Sequence, residues 1–79
     1  MEEVINKIFD KQLELEMSNT EFAKFLGVSR QWVTRLHNKN AERRPFRFKV
    51  MCILCHACGI PMEELKRYNT LCEKRKNNG

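Results

Sequence analysis

Apolar side chains recur every three or four residues along most of this chain, the spacing that places them on one side of an α-helix. The first such stripe lies between Glu2 and Glu16, so we predict a helix over this range with the stripe facing a core. The members of the stripe are Ile5, Ile8, Phe9, Gln12, Leu13 and Glu16.

The second helix has a start signal. Ser18 is followed three residues later by Glu21, which is the spacing of a capping box: the hydroxyl accepts the Glu21 backbone N–H, and the carboxylate accepts the Ser18 N–H. We predict a helix from Asn19 to about Leu26.

Gly27 ends this helix, because glycine adopts a positive φ at little cost. Ser29 is a second N-cap and opens a third helix from Arg30 to about His37. With its flanking cap residues, this helix spans about residues 29–38. Two helices joined by a tight glycine turn form the sequence plan of a helix-turn-helix.

The rest of the chain predicts two more helices and a tail. The polar segment Asn38 to Arg44 is a loop, and Pro45 begins or immediately precedes a fourth helix from about Arg47 to Cys58. Gly59 ends that helix, and a short fifth helix covers Met62 to Tyr68. The fold class is therefore all-α.

A chain of 79 residues is enough for one domain but not for a second domain or a deep catalytic cleft. We assign residues 1–68 to the helical domain and residues 69–79 to a basic, partly flexible tail that carries Lys74, Arg75 and Lys76.

The fourth helix is apolar on most sides. Its inward face is predicted to hold Phe48, Met51, Cys52, Cys55 and Cys58, with Leu54 at the border. Val50 and Ile53 are then left outside, where they could join Ile60 or Met62 in a patch that buries a second subunit.

The charge of +5 is segregated along the chain. Residues 1–26 hold three bases and six acids, whereas residues 27–50 hold seven bases and one acid. A basic segment that begins at the glycine turn is typical of a surface for a polyanion, although a solvated basic face fits the charge alone equally well.

No membrane segment is predicted, because the longest apolar run, Val50 to Cys55, is far shorter than the roughly 20 residues that a membrane helix needs. The acidic N-terminus is unlike a signal peptide. We expect a cytoplasmic, nucleoid-associated protein of a bacterial or phage-infected cell.

The four cysteines have two interpretations. Zinc binding is one, because thiolates and the imidazole of His56 are preferred ligands. However, Cys52, Cys55 and Cys58 fall on a predicted helix, whereas structural zinc sites place paired ligands on a turn. With Cys72, they are predicted to be packing thiols, and no metal or cofactor is expected.

Residues 17–65 resemble the lambda-repressor-like family of DNA-binding domains, the Cro, CI and xenobiotic-response-element (XRE) group of phages and bacteria. The matching residues are Ser18, Glu21, Phe22, Ala23, Leu26, Gly27, Val28, Ser29, Arg30, Gln31, Val33, Arg35, Leu36, Asn38, Pro45, Gly59, Ile60, Pro61, Met62, Glu63, Glu64 and Leu65. The resemblance implies a five-helix bundle whose third helix lies in the major groove. Two positions depart from the family: His37-Asn38-Lys39 replaces a usual Glu-Asn-Gly, and Trp32 replaces a small or polar residue.

Helix periodicity places Val33 and Leu36 toward the core, so the opposite side is predicted to meet bases. Arginine suits guanine, glutamine suits adenine, and threonine contacts a thymine methyl. The predicted base-reading residues on that side are Gln31, Thr34, Arg35 and Asn38. The resemblance adds Arg30, because the family presents the N-terminal residues of this helix to base edges.

Contacts to the DNA backbone are predicted from two places. Asn19 occupies the position where the resemblance implies a phosphate contact at a helix start. The other candidates flank Pro45 and are Arg43, Arg44 and Arg47.

The predicted dimer or partner surface consists of Trp32, Val50, Ile53 and Met62. Partial packing in the core is the favoured role for Trp32, and a contact to the DNA backbone is the remaining alternative.

Three functions compete. The first is a sequence-specific DNA-binding transcriptional regulator, a small Cro-type repressor of a phage or mobile element, acting as a homodimer on a palindromic double-stranded operator. The second is an antirepressor-like module that uses the same fold to bind another regulator. An enzyme is the weakest hypothesis, because the chain has no phosphate loop and no paired carboxylates in an apolar setting; no catalytic residue is predicted.

Overall fold

The computed structural model describes the backbone of residues 2–78 and the side chains of residues 2–74. Over this range the chain is all-helical and contains no strand. Its helices are α1 (Glu2–Glu14), α2 (Asn19–Leu26), α3 (Arg30–His37), α4 (Phe48–Cys58) and α5 (Met62–Asn78). None of them is both long and apolar enough to cross a membrane.

The start of α2 is set by the predicted capping box. The Ser18 hydroxyl accepts the Glu21 N–H at 3.2 Å, and the Glu21 carboxylate accepts the Ser18 N–H at 3.1 Å. These bonds to Ser18 lower the pKa of Glu21. The local sequence therefore fixes where this helix begins.

The turn between α2 and α3 also follows the prediction. Gly27 has a φ of 72°, and the Ser29 hydroxyl accepts the Trp32 N–H at 3.1 Å. The Val28 N–H returns to the Ala23 carbonyl at 2.9 Å, which closes the end of α2. Because both caps lie within three residues, the two helices meet at a fixed angle and pack directly on each other.

The first helix ends two residues earlier than predicted. Glu16 has a φ of 54°, and the Met17 N–H bonds to the Gln12 carbonyl at 3.2 Å, which is the bond of a Schellman ending. Leu13 is 78% exposed, so its place in the predicted inward stripe is wrong.

The inward face of α4 is also rotated from the prediction. Val50, Met51 and Leu54 are buried, whereas Phe48 is 72% exposed. The three cysteines of α4 are only half-buried. A helix that is apolar on most sides has no unique stripe, so its orientation depends on what it packs against.

The last helix is longer than predicted. It continues to Asn78 instead of ending at Tyr68, and both Asn69 and Cys72 contribute to the folded unit. The helical domain therefore does not end at residue 68. Arg75 and Lys76 of the predicted tail lie outside the described side chains.

One core joins all five helices and the loop before α4. Its buried apolar members are Val4, Ile5, Ile8, Phe22, Ala23, Leu26, Val33, Leu36, Phe46, Val50, Met51, Leu54, Ile60, Leu65, Tyr68 and Cys72.

Phe46 attaches the loop before α4 to α5. The Phe46 ring stacks on the Tyr68 ring of α5 with the centroids 4.4 Å apart. The centroid of the Trp32 ring, on α3, lies 5.9 Å from that of Phe46. The Phe46 N–H donates to the Asn69 side-chain oxygen at 2.8 Å, and the Asn69 amide donates to the Phe46 carbonyl at 3.0 Å. Irregular backbone is thus held by a side chain 23 residues away.

We expect Asn69→Ala to lower the free energy of unfolding by about 1–3 kcal/mol, because both Phe46 backbone groups lose a part-buried partner. Urea denaturation measures the change. Thr70→Ala is the matched control, since that exposed hydroxyl bonds only to the Lys66 carbonyl of its own helix. Equal losses in the two variants would show that Asn69 does not hold the loop.

Candidate nucleic-acid interface

The outer side of α3 presents polar side chains away from the core. Val33 is fully buried and Leu36 is 7% exposed, which fixes the helix against α2. The exposed side chains on the other side are Arg30, Gln31, Thr34 and Arg35, and Asn38 is exposed just past the helix end. All five predicted base-reading residues therefore lie at the surface and close together.

Their hydrogen bonds separate them into two groups. The Thr34 hydroxyl donates to the Arg30 carbonyl at 3.1 Å, and the Asn38 side-chain oxygen accepts the Asn40 N–H at 3.0 Å. Within residues 2–74, the side chains of Arg30, Gln31 and Arg35 form no such bonds. The polar groups of these three side chains are thus available to a ligand.

Arg43, predicted to contact a DNA phosphate, has its side chain engaged within the fold. Its side chain is 7% exposed, and its guanidinium donates to the Leu36 carbonyl at 2.8 Å. The same group is 3.5 Å from the Glu2 carboxylate. It satisfies one of the carbonyls left open at the end of α3, where the chain has no glycine to close the helix.

Arg44 and Arg47 remain exposed on either side of Pro45. Arg47 is the N-cap residue of α4, but its side chain makes no capping hydrogen bond. The two guanidinium groups form no ion pair within the described part of the chain, so their charge faces outward beside α3.

Asn19 is half-buried and takes part in a polar network that sequence reasoning missed. The Gln12 amide donates to the Asn19 side-chain oxygen at 2.9 Å and to the Met17 carbonyl at 3.2 Å. The Gln12 oxygen is 2.9 Å from Nε2 of His37, which ties the end of α3 to α1. The sequence signal for this network was Gln12, a polar residue within the apolar stripe of α1, because a buried polar side chain needs hydrogen-bond partners.

His37 is further held by Phe9. The two rings stack with centroids 4.0 Å apart and planes 4° from parallel. Burial lowers the pKa of His37, because it penalises the charged imidazolium. The ring therefore favours its neutral form in the folded chain.

A groove of about 610 Å³ opens between the glycine turn, α3 and the loop before α4. We call it the basic groove. Its aromatic residues are Trp32, Phe46 and Tyr68, and its cations are Arg35, Arg43, Arg44, Arg47 and Lys49, with Glu42 as an acid; Gly27, Val28, Ser29, Leu36, Pro45 and Val50 complete the lining. Burial raises the pKa of Tyr68, so its hydroxyl stays neutral.

One of the four members of the predicted dimer or partner surface, Val50, is not at the surface. Val50 is 7% exposed and belongs to the core, and Ile53 and Met62 are partly buried against it. Val50 is covered because α4 turns the side opposite to Phe48 inward. Trp32 is half-buried and packs on the core while it lines the basic groove.

Three of the four cysteines pack in or against the core. Cys55 and Cys58 are half-buried against the core, and Cys72 is buried. Burial raises the pKa of Cys58. Within the described part of the chain, no three Cys, His, Asp or Glu side chains are arranged to hold a metal ion.

No protein-family model, curated protein or solved structure matches this chain. The candidate interface consequently rests on the chain's own geometry and charge.

We expect Arg43→Met to lower the free energy of unfolding by about 1.5–3 kcal/mol, because the Leu36 carbonyl loses a charged donor. Arg44→Met removes the same charge from an exposed position and should change stability by less than about 0.5 kcal/mol. Thermal denaturation of both variants checks this. If the two midpoints fall equally, Arg43 does not close the end of α3.

The lowered pKa of His37 makes stability depend on pH. The unfolded chain binds the proton more readily, so stability is fully present above the ordinary pKa of 6.5 and decreases as the pH falls below it. We expect His37→Gln to flatten this decrease between about pH 7 and pH 5. His56→Gln, on the exposed side of α4, should retain it. Urea denaturation midpoints measured across that pH range test this prediction. Identical slopes of midpoint against pH in both variants would contradict the assignment of the pH dependence to His37.

Proposed function

We propose that this protein is a sequence-specific DNA-binding transcriptional regulator of the lambda-repressor-like kind, a small Cro-type repressor of a phage or mobile element. In this proposal α2, the Gly27 turn and α3 act as the helix-turn-helix, and α3 enters the major groove. The observation that carries the proposal is the exposed polar face of α3, a helix that packs directly on α2. This face lies beside Arg44 and Arg47, which form no ion pair within residues 2–74.

The dimensions of α3 suit that task. Eight residues at about 1.5 Å each make a helix roughly 12 Å long, and the major groove is about 12 Å wide. Because Val33 and Leu36 hold one side of α3 in the core, only the side with Gln31 and Arg35 is free to enter.

Hydrogen bonding narrows the proposed base readers. Arg30, Gln31 and Arg35 are exposed with their side-chain donors available, whereas Thr34 offers mainly its methyl group and Asn38 already holds the following loop. Thr34 would then contact a thymine methyl, and the bidentate contacts would come from Gln31 and Arg35.

The proposed phosphate contacts come from Arg44, Arg47 and the start of α2 near Asn19. Arg43 is left out, because its guanidinium closes α3 and faces Glu2. Cations that neutralise phosphates release counterions, so affinity should decrease steeply with salt.

One α3 covers only a half-site, so the proposal includes a homodimer on a palindromic operator. Val50 does not contribute to the dimer interface of this proposal, because that residue lies in the core.

The second candidate function is binding to another regulator, as an antirepressor would. One observation favours it: Phe48 is 72% exposed at the start of α4, an unusual position for a large aromatic side chain.

Selection of bound sequences from random duplexes tests the first proposal. For the selected site, Gln31→Ala combined with Arg35→Ala should reduce affinity at least about thirtyfold, since each bidentate pair discriminates by about 1–3 kcal/mol. Arg67→Ala, which removes one positive charge from α5, is the control. Arg44→Ala and Arg47→Ala should each lower the slope of log affinity against log salt by about 1.

Undiminished affinity in the double variant would overturn direct base reading. If Phe48→Asp then abolished repression while DNA binding was unaffected, the partner-binding function would replace it. A two-fold symmetric selected site supports the dimer, and an asymmetric site contradicts it.

A further inference from the structure

The basic groove combines a cavity, aromatic walls and unpaired cations. Its volume of about 610 Å³ falls within the roughly 300–1,000 Å³ of small-molecule sites. DNA contact through the outer face of α3 does not require such a recess, so the proposed DNA binding does not explain the groove.

The aromatic side of the groove is built by Trp32 and Phe46. Their centroids are 5.9 Å apart with planes inclined at 46°, so a third flat ring does not fit between them. Phe46 is backed by Tyr68 and is buried, whereas Trp32 is half-buried. The accessible face of Trp32 is therefore the surface on which a planar ring would stack.

The cationic side holds more charge than one carboxylate would neutralise. Arg35, Arg44, Arg47 and Lys49 all line the groove and form no ion pair within residues 2–74, and Glu42 is the acid of the lining. Arg43 is already engaged by Glu2 and by the Leu36 carbonyl. Several free cations around one recess favour a group with two negative charges and several acceptor oxygens.

The start of α4 adds backbone donors at the same place. Arg47 provides no side-chain cap, and the first turn of this 11-residue helix contains no acid. The N–H groups of Phe48, Lys49 and Val50 precede the first hydrogen bond of the helix, which runs from Met51 to the Arg47 carbonyl. Since Arg47, Lys49 and Val50 line the groove, its rim carries both fixed cations and open amides.

We propose that the basic groove binds a nucleoside monophosphate, with the base stacked on Trp32 and the phosphate held by Arg44, Arg47 and the open amides of α4. This site lies beside the proposed base-reading face. It shares Arg35 with that face and Arg44 and Arg47 with the proposed phosphate contacts, but AMP binding does not require that DNA be read. The same ring-plus-phosphate chemistry occurs in a free mononucleotide and in an unpaired nucleotide of a DNA strand.

Trp32 is the chain's single tryptophan, so its fluorescence reports directly on the groove. We expect AMP to change this emission saturably, with a Kd below about 1 mM. Adenosine, which lacks the phosphate and absorbs as AMP does, and inorganic phosphate, which lacks the ring, should each bind at least about tenfold more weakly. A single-stranded trinucleotide and a fully paired duplex distinguish the two sources: tighter binding of the trinucleotide than of AMP identifies a strand.

Variants test each half of the site separately. Arg44→Ala with Arg47→Ala should weaken AMP at least about tenfold, and Lys66→Ala with Arg67→Ala, an equal charge loss on α5, should not. By calorimetry, Trp32→Ala should lose AMP and Trp32→Phe should retain it, with circular dichroism showing both variants folded. Equal affinity for phosphate and AMP, or no saturable signal with AMP, overturns the proposal. Gln31 does not line the groove, so Gln31→Ala alone should weaken selected-site DNA binding and leave the affinity for AMP unchanged, which makes failure of the two proposals distinguishable.

Discussion

Phe46 lies in irregular backbone, yet its ring and its peptide groups are all held by other elements. Tyr68 stacks on the ring, and Asn69 bonds to both its N–H and its carbonyl. Trp32 approaches the same ring from α3. These contacts link α3 to α5 through the loop, and they set where Arg44 and Arg47 stand relative to the exposed face of α3. Backbone without its own ladder of hydrogen bonds needs partners of this kind to keep one conformation.

The arginines of this loop have different tasks because their surroundings differ. Arg43 is nearly covered, so its charge must be satisfied inside the fold, and it meets the open carbonyl at the end of α3 and the carboxylate of Glu2. Arg44 and Arg47 stay in solvent, where an unpaired guanidinium costs little and attracts anions. Neighbouring arginines thus divide between stabilising the end of α3 and forming the proposed interface.

The two proposed sites share one structural unit but different sides of it. Gln31 and Arg35 face outward from α3, whereas Trp32 turns toward the loop and packs on the core. A large ring at this position closes one side of the basic groove, which a small residue would leave open. Arg35 lies at the border between the two surfaces, since it is exposed on α3 and also lines the groove. A ligand in the groove would therefore compete with DNA for the same cations.

Features that depend on residues a few positions apart could be predicted from the sequence. The Ser18–Glu21 box, the left-handed Gly27, the Ser29 cap and the bounds of α2 and α3 follow from local hydrogen bonds and local sterics, and all agree with the structure. The inward placement of Val33 and Leu36 followed from periodicity, because α3 has one clear apolar stripe. Four features could not be predicted from the sequence and are seen in the folded structure alone. They are the contacts of Arg43, the burial of Val50, the Gln12–His37 hydrogen bond and the length of α5. Each of these depends on groups far apart in the chain, which no local pattern brings together.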